Sequence, residues 1–209
     1  TMPGKMIYYQ QLAEAVTRQI AGDPQEWAQF LTMAARLYKY PYHEQLLIYA
    51  QRPDATACAG YDLWNNTMHR YVRRGSKGIA LLSPTVHGVQ LRYVFDVADT
   101  GRGRDAREPF LWTLDTENTP AVAAALADAY GKNAETPLVE QLHQVALQVT
   151  ENYFTEHAPE LADILAETSV TGYDEDALRG LAAESISYML ASRCGLQPEI
   201  SAFTGLAPL

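Results

Sequence analysis

The chain has 209 residues, 47% hydrophobic and 20% charged, a balance typical of a folded globular protein. No run approaches the roughly 18 consecutive apolar residues that a membrane-spanning helix requires, and the first residues lack the apolar core of a signal peptide. We therefore expect a cytoplasmic protein with no membrane partner. Residues 1–107 contain 13 Lys and Arg against 9 Asp and Glu, whereas residues 108–209 contain 3 against 16. Since the second half would repel a polyanion, any nucleic-acid site belongs before about residue 107.

The first part of the chain predicts three helices. Apolar residues recur at intervals of three and four over residues 8–21 and again over residues 24–38. The second of these helices begins with Asp23 as its N-cap and Pro24 in its first turn. A third, short helix is predicted over residues 42–51, since the dipeptide Tyr40-Pro41 precedes it and the dipeptide Arg52-Pro53 follows it.

Short runs of β-branched and aromatic residues come next. Residues 79–82 and 91–97 predict two strands of a hairpin, joined by the Pro- and Gly-containing turn region 83–88. Residues 110–114 predict a third strand. The glycine-rich, charged segment 98–108 predicts a mobile loop and a domain boundary.

The remaining residues show helical patterns only. The predicted helices are 120–130, 137–154, 159–168 and 174–194, and Gly195 is a natural stop for the last one. The sequence therefore predicts an α+β fold: N-terminal helices, a small antiparallel hairpin or sheet, then a helical C-terminal part. We place the domains at residues 1–107 and 108–209, the second acidic and mainly helical.

The segment from residue 36 to residue 77 is rich in both cations and aromatic rings. It contains seven Lys and Arg and only three Asp and Glu, interleaved with seven Tyr and Trp residues. Cations neutralise phosphates and flat rings stack on unpaired bases, so this combination is typical of proteins that bind single-stranded nucleic acid. We therefore predict a sequence-tolerant site for single-stranded DNA here.

Nine residues are the candidates for this site. Those expected to contact phosphates are Lys39, Arg52, Arg70, Arg73, Arg74 and Lys77. Those expected to stack on bases are Tyr61, Trp64 and Tyr71. The glycines around Ser76 and Lys77 predict a tight turn whose exposed main-chain amides suit a phosphate. The alternative interpretation is an ordinary solvated basic turn. Tyr38 and Tyr49 are assigned to packing, Tyr49 because it lies in the apolar run LLIYA.

The motifs of several enzyme classes are missing from the sequence. The segment RRGSKG lacks the spacing and the Gly-Lys-Ser/Thr ending of a P-loop. His43-Glu44 is followed by Leu47, where a zinc-protease helix needs a second histidine. Cys58 and Cys194 lie too far apart in sequence to indicate a thiol cluster. We therefore expect a protein that is not an enzyme and that carries no metal or cofactor.

Asp96 and Asp99 leave one alternative open. They flank Val97 near the end of the predicted hairpin, where paired carboxylates could bind a divalent metal and support a nuclease. Turn formation is the other interpretation of these two residues.

Much of the basic half matches the pattern of a known family. The segments YKYPYHEQLLIYAQRPDATACAGYDLW, YVRRGSKGIALLSP and RYVFDVADT resemble the N-terminal domain of ArdC-type antirestriction proteins, which also stands at the front of large polyvalent helicase or methylase proteins of conjugative elements. The resemblance covers about residues 8 to 100. Its matching residues are Ala50, Gln51, Arg52, Pro53, Gly60, Tyr61, Trp64, Arg73, Arg74, Gly75, Lys77, Gly78, Ile79, Tyr93, Val94, Phe95 and Asp96.

This resemblance implies single-stranded DNA binding and a role in protecting or processing incoming DNA during transfer of a mobile element. It does not imply peptidase activity, because this sequence lacks the His-Glu-x-x-His motif that follows the domain in ArdC-type proteins. The helicase and methylase motifs are missing as well. We expect the chain to be a free-standing relative or an N-terminal piece of a larger protein.

The acidic half supports a second functional hypothesis. Residues 108–209 could form a protein-interaction module that mimics DNA or binds a basic partner, such as a host defence or conjugation protein.

Overall fold

The structure is a computed structural model that describes residues 2–167, 175–198 and 203. The chain divides into two compact units, unit 1 up to Trp112 and unit 2 from Thr113 to Ala207. Of the residues that the structure describes, 58% are helical and 13% lie in strands, with N-terminal helices, small antiparallel sheets and then helices. The predicted α+β class is confirmed.

Three helices open unit 1, namely α1 (Met2–Ala21), α2 (Pro24–Arg36) and α3 (Tyr42–Gln51). The predicted cap is confirmed, because the Asp23 carboxylate accepts a hydrogen bond from the main-chain N–H of Gln25 at 2.7 Å. Helix α1 begins earlier than the apolar periodicity predicted, and α2 ends two residues before Tyr38.

The core of unit 1 lies between these helices and a sheet. Helix α2 buries one stripe, and α3 buries every residue from Glu44 to Tyr49. The Gln45 amide donates to the carbonyl of Leu37 at 3.1 Å, which satisfies a main-chain acceptor just past the end of α2. Tyr49 is 5% exposed, so its packing role is confirmed. The packing assignment of Tyr38 is wrong, because that side chain projects from the end of α2 and is 57% exposed.

The rest of unit 1 contains a π-helical turn, Leu63–Thr67, and five strands: β1 (Cys58–Ala59), β2 (Arg70–Val72), β3 (Ile79–Thr85), β4 (Gly88–Asp96) and β5 (Thr100–Arg102). Strands β1, β4 and β3 form one antiparallel sheet in that order, and β2 and β5 form a separate two-stranded antiparallel ribbon. The predicted β3–β4 hairpin is present. Its turn is tighter than predicted, since Thr85 pairs directly with Gly88 across two residues. Gly88 has a φ of +105°, which a residue with a side chain rarely adopts.

The ribbon was not predicted. A mobile loop was expected over residues 98–108, but this segment contains the end of a 3-10 turn, Val97–Asp99, and the whole of β5. Three residues that include a glycine carry no recognisable strand pattern, so only pairing with β2 makes them a strand. The third strand expected over residues 110–114 is also wrong, because these residues are irregular.

Unit 2 contains helices α4 (Thr119–Tyr130), α5 (Leu138–Glu156), α6 (Ala158–Glu167) and α7 (Glu175–Arg193). Each lies within two residues of its predicted bounds; the predicted ends Thr168 and Asp174 lie outside the described residues. Helices α5 and α7 pack together through buried small and apolar residues, and Gly195 ends α7 at a φ of +71°. None of the helices within the described ranges combines the length and the apolar character of a membrane-spanning segment.

Candidate nucleic-acid interface

The predicted basic turn is closed by Arg73, Arg74, Gly75 and Ser76. The main-chain N–H of Ser76 donates to the carbonyl of Arg73 at 3.1 Å. Gly75, at the third position of the turn, has a φ of +88°, the conformation that a type II turn requires there. The turn therefore presents the Arg73 and Arg74 side chains to solvent at the end of β2.

This turn is attached to the residue just before β5. The carbonyl oxygen of Asp99 accepts from the main-chain N–H of Arg73 at 2.9 Å and from the Ser76 hydroxyl at 3.2 Å. The Asp99 carboxylate forms an ion pair with Arg52, whose Nη1 lies 2.7 Å away. Asp99 thus joins the turn to the end of α3.

Asp96, at the end of β4, holds the segment before β1 and the 3-10 turn before β5. Its side chain is buried and accepts from the main-chain N–H groups of Thr56, Ala57 and Ala98 at 2.7 to 3.0 Å. The Cys58 thiol lies 3.8 Å from Oδ2, and burial together with the Asp96 charge raises the pKa of this thiol. Both carboxylate oxygens of Asp96 are therefore used in hydrogen bonds to the main chain.

The two aspartates therefore have structural partners that a metal ion would have to displace. Among residues 2–167, 175–198 and 203, no cluster of three or more His, Cys, Asp or Glu side chains could hold a metal ion.

Tyr71 is the exposed aromatic ring of the ribbon. It lies on β2 opposite Gly101 of β5, and 54% of the residue is exposed. The ring lies so close to Gly101 that a Cβ at that position would overlap it. Gly101 therefore supports one side of the ring and leaves the rest accessible to a ligand.

Two shallow grooves flank Tyr71. One, of about 550 Å³, is lined by Arg73 and Arg102 among others. The other, of about 290 Å³, is lined by His69, Arg104 and Asp105 among others. His69 has a φ of +52°, uncommon for a residue with a side chain and often found at functional sites. The structure thus places an accessible ring between two grooves that each contain arginine.

Six of the nine predicted residues are exposed: Lys39, Tyr61, Tyr71, Arg73, Arg74 and Lys77. In the described part of the chain, Arg74 and Lys77 have no ion-pair partner. Lys39 lies over the ring of Tyr38, with Nζ 5.9 Å from the ring centroid, and Tyr61 packs edge-on against Phe95. Lys39 and Tyr61 are therefore available at the surface, but their described contacts do not connect them to the ribbon.

The other three predicted residues have structural partners. Trp64 is 2% exposed, and its indole N–H donates to the carbonyl of Phe95 at 2.8 Å, so neither face of its ring can receive a base. Arg70 is 6% exposed; its guanidinium donates to Thr100 at 2.8 Å and to Glu108 at 3.0 Å. Arg52 pairs with Asp99. These three side chains stabilise the fold from which the exposed residues project.

Sequence reasoning missed three exposed arginines beside the ribbon. Arg102 makes an exposed ion pair with Glu108 at 2.7 Å, whereas Arg104 and Arg107 have no acidic partner in the described ranges. The signal was present as alternating arginine and glycine in the segment GRGRDAR. The glycines suggested mobility, but they permit close packing: a Cβ on Gly103 would lie 2.6 Å from the carbonyl oxygen of His69.

Comparison of the chain with protein-family models, with curated proteins and with solved structures finds no match in any of the three. The family resemblance of residues 8 to 100 therefore stays a prediction.

Proposed function

We propose that unit 1 is a non-enzymatic module that binds single-stranded DNA with little sequence preference. The binding surface consists of exposed residues on and next to the β2–β5 ribbon. We call this set the basic ribbon and define it as Tyr71, Arg73, Arg74, Lys77, Arg102 and Arg104. One observation carries the proposal: the accessible ring of Tyr71 lies between two arginine-lined grooves.

An accessible ring favours a single strand over a duplex. Bases in a duplex are already stacked on each other, whereas an unpaired base can place its face on Tyr71. Stacking is available to every base, so the contact tolerates any sequence. The grooves on the two sides of the ring would then accept the sugar–phosphate backbone before and after the stacked base.

The charges of the basic ribbon support the same ligand. Arg74, Lys77 and Arg104 have no carboxylate partner in the described ranges, so a phosphate would not have to displace an existing ion pair. The Arg73 guanidinium donates to the carbonyl oxygen of Ala98 at 3.0 Å, and the side chain is exposed. For a single strand, the slope of log K against log salt is about −0.7 per neutralised phosphate, so about five contacts would give about −3 to −4.

The biological role that fits this activity is protection or processing of incoming single-stranded DNA during transfer of a mobile element. Support for this part comes from the resemblance of residues 8 to 100 to ArdC-type N-terminal domains. Binding to a single strand would be the common requirement of either role.

Fluorescence anisotropy with the full chain tests the proposal. The probe is a labelled oligothymidine of about 20 nucleotides, compared with mixed-sequence and duplex oligonucleotides over a salt series. We expect the two single strands to bind alike and the duplex more weakly. Failure to bind any single strand at low salt would overturn the proposed function.

Reversing the charge of two arginines tests whether the basic ribbon is the surface that binds DNA. Arg73→Glu/Arg74→Glu should weaken binding at least about tenfold at low salt and make the salt slope shallower. The matched control is Arg18→Glu/Arg36→Glu, which changes the net charge equally at exposed positions outside the ribbon. Equal losses in both double variants would mean that net charge, and not the basic ribbon, governs binding.

A second candidate function rests on a groove in unit 2. It has a volume of about 340 Å³ between α5 and α7, and its lining combines Glu140 and Glu184 with apolar groups such as Val139 and Ala191. Carboxylates beside apolar surface suit a basic amphipathic segment of a host defence or conjugation protein. Glu140→Gln/Glu184→Gln should weaken binding of a labelled Lys- and Leu-rich helical peptide, while Arg73→Glu/Arg74→Glu should leave it unchanged. Equal peptide binding by all three proteins would rule the groove out.

A further inference from the structure

The two edges of the three-stranded sheet differ in how they are protected. On the outer edge of β3, the Gln51 side chain occupies both main-chain groups of Ala80: Nε2 donates to the carbonyl and Oε1 accepts from the N–H, each at 2.9 Å. Further along this edge stands Pro84, which has no N–H to donate. Both features prevent another strand from pairing with β3.

The hairpin register shows which main-chain N–H and C=O groups of β4 point away from β3. Ala80 lies opposite Tyr93, and the groups of Ala80 point outward to Gln51, so the pair is not hydrogen-bonded across the hairpin. The N–H and C=O of Tyr93 therefore also point away from β3. By the alternation of an antiparallel ladder, the same holds for Val89 and Leu91.

This outer edge of β4 is open along most of its length. Strand β1 covers only its end, by pairing with Phe95 and Asp96. In the part of the chain that the structure describes, the outward main-chain groups of Val89, Leu91 and Tyr93 have no hydrogen-bond partner. From Gly88 to Tyr93, every residue except Leu91 is exposed. An unprotected edge of this kind is a template for another strand.

We propose that β4 pairs in an antiparallel manner with β4 of a second copy of this chain, centred on Leu91. In that arrangement the two Leu91 residues lie opposite each other, and Val89 lies opposite Tyr93 of the other copy. Each of these pairs exchanges two main-chain hydrogen bonds, because the groups of all three residues point outward. Apolar and aromatic side chains thus face one another across the two-fold axis.

The geometry selects this register over its neighbours. A shift of the centre by one residue still pairs outward groups with outward groups, but it is less favourable in either direction. Centred on Arg92, the two Arg92 side chains would face each other, and Val89 would lie opposite Phe95, which β1 already occupies. Centred on Gln90, Tyr93 would lie opposite His87, which is outside β4. A shift to Tyr93 would bring the second strand against β1 at Phe95. A shift to Val89 would run past the start of β4 at Gly88 and leave most of the edge unpaired.

The charges of the strand are compatible with self-pairing. Centred on Leu91, the register places Arg92 opposite Gln90 and not opposite another Arg92. The Arg92 charge is also neutralised within its own chain, since Nη2 lies 2.6 Å from the buried Glu44 carboxylate. Like-charge repulsion, which usually protects an edge, is therefore missing here.

Cross-linking of the full chain tests the register. In Leu91→Cys the two new thiols would lie on residues about 5.5 Å apart between Cα atoms, within the range of a disulfide. We expect mild oxidation to give a covalent dimer. The controls are the unmodified chain, which keeps Cys58 and Cys194, and Val86→Cys at the 95% exposed hairpin tip. Equal cross-linking of Leu91→Cys and the more exposed Val86→Cys would overturn the register.

Sedimentation measurements test the pairing itself. The unmodified chain should show a monomer–dimer equilibrium, whereas Leu91→Lys and Leu91→Glu should each be monomeric, because like charges would face each other. An equimolar mixture of the two variants should recover dimers; circular dichroism of each variant checks that it is folded. An unmodified chain that stays monomeric over the attainable concentration range would overturn the proposal. These outcomes do not bear on DNA binding, which uses the residues of the basic ribbon.

Discussion

The β3–β4 hairpin and the β2–β5 ribbon are both antiparallel pairs within unit 1, but different forces hold them. The hairpin has apolar groups on both faces at its base, where Ile79, Ala80, Leu81 and Val94 are all buried. The ribbon depends on polar contacts, namely those of Asp96, Asp99 and Arg70 described above. Apolar packing hides side chains, whereas these polar contacts leave Tyr71, Arg73 and Arg102 exposed. This difference explains why the candidate binding surface lies on the ribbon.

Removal of the central carboxylate should give the largest effect. Asp96→Ala would leave the N–H groups of Thr56, Ala57 and Ala98 without their acceptor, so we expect a loss of about 3–5 kcal/mol in the free energy of unfolding. Urea denaturation measures it. The control is Asp54→Ala, whose side chain is 80% exposed and should change stability by less than about 0.5 kcal/mol. A loss below about 1 kcal/mol in Asp96→Ala would show that apolar packing also holds the ribbon.

Truncation of a buried side chain in the β3–β4 hairpin should give the second largest effect. Leu81 is 0% exposed, and Leu81→Ala should lower the free energy of unfolding by about 2–4 kcal/mol because it removes buried methyl groups and leaves a cavity. The salt dependence of stability should stay as in the unmodified chain, since no charge is involved. A salt dependence that changes in Leu81→Ala would show that hairpin and ribbon are energetically coupled.

Tyr71 separates binding from stability. Tyr71→Ala should weaken binding of oligothymidine by about 1–3 kcal/mol, the contribution of one stacked base. Tyr71→Phe should retain most of the affinity because it keeps the ring. Both variants should unfold at nearly the same urea concentration as the unmodified chain, since the ring is more than half exposed. Equal anisotropy titrations for the Ala and Phe variants would remove stacking from the proposed function.

The smallest effect concerns pH. The pKa of the Cys58 thiol is raised from its ordinary value of 9.0 by burial and by Asp96. The folded state therefore favours the neutral thiol, and this contribution is complete below pH 9 and is lost as pH rises above it. Between about pH 9 and pH 10, stability should fall more in the unmodified chain than in Cys58→Ser, since both proteins have the same tyrosines and differ only in this thiol. Parallel pH profiles from urea denaturation would contradict this.

Local sequence signals predicted the elements whose causes are local. Helix α3 begins at Tyr42 and ends at Gln51 as predicted, because prolines bound it on both sides. The cap at Asp23 and the stop at Gly195 follow from residue chemistry within one turn. The strands of the hairpin were also predicted, since their apolar and β-branched runs are long enough to recognise.

The site was predicted only in part, for a physical reason. Arg70 and Arg73 stand three residues apart in one basic run, yet Arg70 finds its partners in Thr100 and Glu108, at sequence separations of 30 and 38 residues. No local sequence pattern indicates whether a basic side chain will form an ion pair with a carboxylate far away in sequence or remain exposed to solvent. The same holds for Trp64, whose indole is used by the carbonyl of Phe95.

By itself, the sequence determined the α+β class, most of the helix ends and the net positive charge of residues 1–107, because capping, periodicity and net charge are local or additive properties. Only the tertiary structure decided which rings and cations remain exposed. It pairs β5 with β2 under Tyr71 and adds Arg102 and Arg104 to the surface. It also buries Trp64 and Arg70 and pairs Arg52 with Asp99. Burial depends on contacts between segments far apart in the chain, and these form only when the whole unit folds.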